Sequence, residues 1–186
     1  MTPIKIDVNA VADVQVAAQL AQDVTIVVNN AGIANFGSFM AEDAEAMLRN
    51  HLETNVLGPL RISRAFAPVL AQNGGGALIN VASIASWITS PKLANYAVSK
   101  SALWSLSNGL RNDLRGQGTQ VLTLHMGFVD TDLTQGIDMP KSTPAAIVER
   151  TLQALEAGAH EVLADEMTQQ VKASLSAEQA VYLAAR

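Results

Sequence analysis

The chain has 186 residues, 49% of them hydrophobic and 16% charged, a composition that buries one substantial core and is not that of a disordered segment. Its net charge is −5 and no block is rich in lysine or arginine, which argues against nucleic acid as a partner, because phosphate binding draws on clustered cations. There is no cysteine, hence no disulfide and no thiolate metal site, and His51, His125 and His160 are scattered without a second ligand at metal spacing, so no metal is expected.

In chain order, Ile4–Val8 reads as a short strand and residues 10–22 as an alanine-rich helix. Val24–Val28 is a continuous apolar run of the kind found in a parallel sheet covered on both faces, and it ends at Asn29-Asn-Ala-Gly32. Residues 41–71 read as helical, with Asn55 inside and Pro59 expected to kink or divide the helix. Asn73-Gly-Gly-Gly76 is a turn, and Ala77–Ala82 is a second buried strand with Ser83 just past its end. The helix after Pro91 carries Tyr96, Lys100 and the stripe Leu103, Leu106, Leu110 and Leu114, and Gly116 and Gly118 close it.

Gln120–His125 is a third buried strand, followed by Met126-Gly-Phe-Val-Asp-Thr131 and by the longest irregular stretch after the catalytic region, residues 132–142. Thr143 and Pro144 are N-cap and first residue of the next helix, whose inner face is expected to be Ile147, Val148, Leu152 and Leu155, with Gly158 at its end. Glu161–Leu163 is a last short strand, and Ser176–Leu183 is expected to form a terminal helix. This alternation specifies an α/β fold with a parallel sheet and right-handed crossovers, organised as one domain. Ligands in such folds sit beyond the carboxyl ends of the strands, where Asn29, Ser83, Gly127 and the 132–142 loop all fall.

No window approaches the roughly 18 apolar residues that a membrane span needs. The opening Met-Thr-Pro-Ile-Lys-Ile-Asp lacks the apolar stretch of a secretory signal, so a cytoplasmic protein with no membrane partner is expected. At 4%, aromatic residues are too sparse for a base-stacking surface.

Four polar side chains carry the chemistry: Asn55, Ser83, Tyr96 and Lys100. When hydride reduces a carbonyl, the oxygen gains negative charge and needs a proton. A tyrosine hydroxyl can donate it, but its ordinary pKa of about 10 is high for two-way transfer near neutrality. Lys100 lies one helical turn beyond Tyr96 on the same face, and a cation there favours the phenolate. A cationic nicotinamide ring would act in the same direction. Ser83 can hydrogen-bond the substrate oxygen, and Asn55 could hold a water linking the lysine to solvent. Taken singly each has a bland reading: a helix-surface pair, a turn serine, a solvated asparagine. Together on the strand ends of an α/β pattern they read as a proton-transfer site.

The chain resembles a classical short-chain dehydrogenase/reductase. The matching residues are Asn29-Asn-Ala-Gly32 after a strand, Asn55, Ser83, Tyr96-x-x-x-Lys100, Gly127-x-Val129-x-Thr131, and Asp7-Val8 near the start. The resemblance runs from about residue 4 to the C-terminus. It implies a Rossmann-like doubly wound parallel sheet and an NAD(P)-dependent oxidoreductase that interconverts a carbonyl and a secondary alcohol. In that reading Tyr96 is the general acid/base, Lys100 tunes it and bonds the nicotinamide ribose, Ser83 orients the carbonyl and Asn55 supports the relay water. The cofactor, NAD or NADP, would meet Asp7 and Val8 at its adenine, and Asn29, Ala31 and Gly32 near its adenosine ribose. Val129 and Thr131, after Gly127, would meet its carboxamide.

Two departures from the family pattern stand out. Met126 replaces the proline usual before Gly127. The resemblance also begins at the family's third strand, so the fold is expected to be N-terminally truncated, without the first two strands and helices, roughly 55 residues that carry the Gly-rich pyrophosphate turn. Cofactor binding is therefore in question. Residues 1–20 are expected to be displaced from the family position or packed on another chain, and Val24–Val28 to be an exposed edge. The alternative function is a truncated, catalytically silent relative with a structural or association role, and the stretch could equally be a piece of a longer reading frame. The resemblance implies a homodimer or homotetramer. Leu57, Leu60, Ala65, Leu103, Leu106 and Leu110 are candidates for its helical contact or, equally, for covering the sheet. Trp87, Ile88, Leu93, Phe128 and loop 132–142 are expected to line an apolar pocket for a modest carbonyl or secondary alcohol.

Overall fold

A computed structural model describes residues 2–184 and builds them around a sheet of four parallel strands. The strands lie in chain order: β1 (Ile26–Asn29), β2 (Ala77–Val81), β3 (Gln120–His125) and β4 (Glu161–Leu163). Register sets Val28 against Ile79, Asn80 against Thr123 and Leu124 against Val162. The helices are α1 (Val11–Leu20), α2 (Ala44–Leu52), α3 (Gly58–Gln72), α4 (Ala94–Leu114), α5 (Pro144–Glu156) and α6 (Glu166–Ser174).

Successive side chains of a strand point to opposite faces, and the core divides accordingly. Leu78 and Val121 join α1, α3 and α4 in one cluster with Val14, Phe66, Leu70 and Leu110. Ile79, Leu122 and Leu124 join Ile147 of α5 and Val162 in the other. Leu78 and Leu122 are fully buried, each contributing roughly 1.5–3 kcal/mol of apolar burial. The α4 stripe is realised: Leu103, Leu110 and Leu114 are buried and Leu106 packs against the first cluster. A short 3-10 turn (Arg115–Gln117) and Gly118, at φ 75°, end that helix.

Several elements differ from expectation, each for a local reason. Residues 41–71 do divide just ahead of Pro59, as its missing N–H leads one to expect, but through a π turn rather than a break. A π-helical turn, Glu53–Leu57, joins α2 to α3, with the Gly58 N–H donating back to Glu53. Pro59 stands in the first turn of α3, where a missing N–H costs little. The inner face of α5 runs through Ile147, Thr151 and Leu155, while Val148 and Leu152 are 56% and 46% exposed. Those two lie about 100° around the helix from the buried row. Helix α6 goes unforeseen, although Asp165, which accepts from the Thr168 N–H at 2.8 Å, is an ordinary N-cap signal. The terminal helix expected over Ser176–Leu183 reduces to a 3-10 turn, Val181–Leu183.

Ile4–Val8 is not a strand. Its backbone has no ladder partner, because a groove of about 270 Å³ separates it from β1. Residues 7–9 are held by the helical wall instead. Arg61 reaches the Val8 carbonyl, Asn9 donates to Thr54 Oγ1 at 3.2 Å, and Val8 presses on Gly58, where an added methyl would come within 2.9 Å of it. Helix α1 is anchored by Val14, Ala17 and Ala18 in the first cluster, so residues 11–20 do not swing away from the fold. The far side of β1 is bare, with Ile26 46% and Val28 54% exposed.

An apolar, unpaired edge of this kind templates association. Substituting Val28→Lys places a charge on it without touching the core. Any association through this edge, measured by light scattering at micromolar concentration, is expected to weaken about tenfold or more, since a charged group in an apolar contact costs well over ~1.4 kcal/mol. Equal association by the variant and the parent chain would exclude this edge as the contact.

Candidate active site

Strand β2 delivers Ser83. The chain leaves the sheet at Ala82, whose N–H donates to Leu124, and the Ile84 N–H donates to Met126 at 2.8 Å, so the strand end stays tied to β3. The Ser83 hydroxyl accepts from the Ala85 N–H at 3.1 Å and caps a 3-10 turn over Ile84–Ser86. That turn is bound to α4 by two hydroxyls, with Ser86 Oγ donating to the Lys100 carbonyl at 3.1 Å and Ser101 Oγ to the Ser86 carbonyl at 2.8 Å. The serine and the helix bearing Tyr96 are thus one rigid unit.

Ser83 and Tyr96 line a common cavity with Gly127. Lys100 is buried behind the tyrosine, its Nζ 5.5 Å from the ring centroid and donating to the Val81 carbonyl at 2.7 Å. Burial lowers its pKa to about 8. The phenol of Tyr96 goes the other way: burial raises its pKa, and the Ser83 hydroxyl only partly offsets that. The lowering by Lys100 expected from the spacing is not what the fold produces by itself, because the ammonium lies over the ring and is aimed at a backbone carbonyl.

Asn55 sits in the π turn, fully buried. Its Oδ1 accepts from the Ile33 N–H at 2.8 Å, and its two amide hydrogens go to the Ile33 carbonyl and Ser99 Oγ, both at 2.9 Å. One Oδ1 lone pair remains for a water. The widened turn is what brings this carboxamide between the β1 loop and α4, and π turns recur at functional positions for such reasons. A methyl on Gly32 would sit 3.2 Å from Asn55 Oδ1 and 3.8 Å from Lys100 Nζ, so this glycine keeps the approach to both open.

The remaining sequence candidates divide. Val8, Asn29 and Ala31 line the groove beside β1. Asp7 is exposed next to Val8, with its Oδ1 accepting from the Asn9 N–H at 2.9 Å. Asn29 points inward: its amide donates to Asn80 Oδ1 at 2.8 Å and its side chain is buried, so only its backbone faces the groove side. The Gly127 N–H donates to Asp165 at 2.6 Å, which clamps the loop to the start of α6. Val129 is buried in the second core cluster, and Thr131 caps the 3-10 turn Asp132–Thr134. Val8, with Asp7 beside it, therefore borders a different cavity from Ser83, Tyr96 and Gly127.

Two histidines escape the sequence reading. His51 is fully buried, accepts from the Asn35 N–H at 3.1 Å and places its ring edge-on to Tyr96 at 6.5 Å. His125, whose pKa burial lowers to about 4, stacks on Trp87 at 4.1 Å, and its Nδ1 lies 3.1 Å from the Ser83 carbonyl. Neutral at pH 7, it donates there and braces the serine. Neither has a sequence signal, since their partners are backbone groups remote in the chain, the Asn35 N–H and the Ser83 carbonyl, or one helical turn away, the Met47 carbonyl. Among the described residues, no three His, Cys, Asp or Glu side chains come together as a metal site, and no helix is long and apolar enough to cross a membrane.

The pattern of the short chain dehydrogenase family matches residues 1–141. The chain is 36% identical over 121 residues to 1-deoxy-11-beta-hydroxypentalenate dehydrogenase of Streptomyces exfoliatus, which covers 64% of this chain and 44% of that relative. It spans about half the length of the curated relatives it matches. Among solved structures, a short chain dehydrogenase from Burkholderia cenocepacia J2315, in complex with NADP, superposes with a TM-score of 0.89 at 36% identity, over 95% of this chain and 74% of that one. A superposition that inclusive takes in α1, so the displacement expected for residues 1–20 does not occur in that helix. A gluconate 5-dehydrogenase from the same organism, in complex with NADP and tartrate, shares the fold with a TM-score of 0.76 at 22% identity, over 84% of this chain and 70% of that one. With a family pattern over most of its length and this fold around Ser83, Tyr96 and Lys100, the chain belongs to the short chain dehydrogenase family.

Proposed function

We propose that this chain carries the catalytic part of an NAD(P)-dependent oxidoreductase that interconverts a carbonyl and a secondary alcohol. The observation that supports this best is the sharing of one cavity by Ser83 and Tyr96, with the Lys100 ammonium buried directly behind the phenol. A dinucleotide held here would supply or accept the hydride. The residues here handle the proton. In the reducing direction the Tyr96 hydroxyl gives its proton to the substrate oxygen, and the Ser83 hydroxyl donates a hydrogen bond to the same oxygen as charge develops on it. In the oxidising direction the phenolate takes the proton back.

The nicotinamide-ribose end of such a cofactor fits the residues present. Lys100 spends one ammonium hydrogen on Val81, which leaves two for hydroxyl acceptors, and Gly32 keeps that approach open. The pyrophosphate end has no counterpart among the described residues, none of which forms a glycine-rich turn leading into a helix. Val8, Asn29 and Ala31 border the groove where the adenosine half would run, with Asp7 beside them, and Gly127, Val129 and Thr131 would meet the carboxamide. Asn55 holds the Ile33 backbone and Ser99, with one lone pair free for a relay water.

The oligomer remains part of this proposal, as a homodimer or homotetramer, and so does a cytoplasmic location. Leu103 and Leu110 are consumed by the core, so of the six candidates only Leu57 is substantially exposed to a second chain. The silent-relative reading stays in competition through the missing phosphate turn. Calorimetric titration with NADPH and with NADH separates the two. Micromolar affinity for either supports the oxidoreductase, and no heat at millimolar cofactor supports the silent relative.

A further inference from the structure

The cavity over Ser83 and Tyr96 holds about 300 Å³, at the small end of ligand sites. One wall is rigid: Ile84 opens the capped turn, Ile88 follows it, and Leu93 leads into α4. The opposite wall comes from Phe128, Ile137 and Met139, with Met167 from α6. The loop bearing Ile137 and Met139 is pinned at both ends. Val129 bridges to Ser142 in the manner of a β-ladder, and Lys141 Nζ donates to the Thr134 carbonyl at 2.8 Å.

The composition of this lining is one-sided. Apart from Tyr96, no titratable side chain borders the cavity; its other side-chain polar groups are the hydroxyls of Ser83, Thr89, Ser90 and Thr134. The nearby cations do not line it: Lys100 lies behind the Tyr96 ring with a bond to the Val81 carbonyl, and Lys141 donates to the Thr134 carbonyl. A carboxylate entering this space would lose its hydration and meet no cation on the walls, and a polyhydroxylated chain would find too few partners for its hydroxyls. Hydrocarbon loses nothing there, and two thioethers in one wall adapt to its shape.

We propose that the site takes neutral ketones whose carbonyl is flanked by hydrocarbon, together with the corresponding secondary alcohols, and rejects oxo acids and sugar acids. This rests on the oxidoreductase reading for the identity of the reacting group; the walls decide the substituents.

The test is ligand-observed NMR on the 186-residue chain with 2-butanone, 2-hexanone and 2-octanone, and with 7-oxooctanoate as the charged counterpart of the last. Affinity is expected to rise roughly fourfold per added methylene until the cavity is filled. The oxo acid is expected to bind at least tenfold more weakly than 2-octanone. Met139→Arg, on the exposed rim, is expected to narrow or reverse that preference. A flat chain-length series, an oxo acid that binds as well as the ketone, or no ketone binding at all would each overturn the assignment. Reduction is read separately with NADPH. Graded ketone binding without turnover keeps the pocket assignment and removes the oxidoreductase reading. Preferred turnover of the oxo acid does the reverse.

Discussion

Changing Tyr96 to Phe is expected to leave the chain folded and its turnover at least a hundredfold down. The ring stays, and with it the edge contact to His51 at 6.5 Å and the position of Lys100 over the ring face. Only the hydroxyl goes, which removes the single group in the cavity able to pass a proton to the substrate oxygen. General acid–base catalysis by a positioned side chain is worth roughly 10²–10⁴-fold, and the loss is expected in that range or beyond. Thermal denaturation of the variant is expected to stay close to that of the parent, because the ring packing is kept and one hydroxyl hydrogen bond contributes about 1 kcal/mol. The wild-type pH profile checks the same assignment. Burial raises the phenol's pKa, so the acid form needed for reduction persists through neutral pH, while the base form needed for oxidation grows with pH. Alcohol oxidation is therefore expected to climb toward alkaline pH and carbonyl reduction to fall. Turnover by Tyr96→Phe within tenfold of wild type would remove this residue from the mechanism.

Lys100→Met is expected to trade activity for stability. The ammonium is buried with one hydrogen bond, and its pKa is lowered to about 8 from 10.5. The unfolded chain therefore binds more protons than the folded one between pH 8 and 10.5. By linkage the wild-type fold gains stability as pH rises through that window, and below about pH 8 it carries the full cost of a buried cation. Methionine keeps the apolar stem without the charge. The variant is expected to gain on wild type at pH 7, by no more than about 3 kcal/mol, and to lose that advantage by pH 10.5. The unpaired Val81 carbonyl offsets about 1 kcal/mol of it at every pH. Activity is expected to fall sharply, since the phenolate loses its cation and any cofactor ribose loses its donor. Urea denaturation at pH 7 and pH 10.5 reads the first effect. A difference between the two proteins that does not change with pH would show that Lys100 is not buried as a strained cation. Keeping such a residue at a cost to the fold is what a functional site does.

The parallel sheet was legible because its strands are continuous apolar runs, Val24–Val28, Ala77–Ala82 and Gln120–His125, separated by helix-period segments. Ser83, Tyr96 and Lys100 were legible as a group because strand-end and one-turn spacings are local geometry, which the chain carries with it. Local geometry also explains the Thr143 cap, and it would have found α6 had Asp165 and Thr168 been taken as a cap pair.

What the residue order could not decide depends on partners remote in the chain. Ile4–Val8 has a strand's composition, but a strand exists only by pairing, and across the groove there is nothing within hydrogen-bonding reach. Asn29 has the look of a ligand residue, yet Asn80 and Ser63 on neighbouring elements turn its amide into the core. Asn55 owes its role to a π turn that inserts one extra residue per turn ahead of Pro59, and no periodicity announces such a turn. His51 and His125 brace the site through backbone carbonyls and buried ring contacts. The sign of the Tyr96 shift was decided in the same way. Spacing brought a cation near the phenol, but only the packed structure sets how much water each has lost, and desolvation is the leading cause of both shifts. Sequence alone singled out the groups proposed to carry the chemistry; the tertiary structure decided their orientation, burial and surroundings, because those are properties of contacts between distant segments.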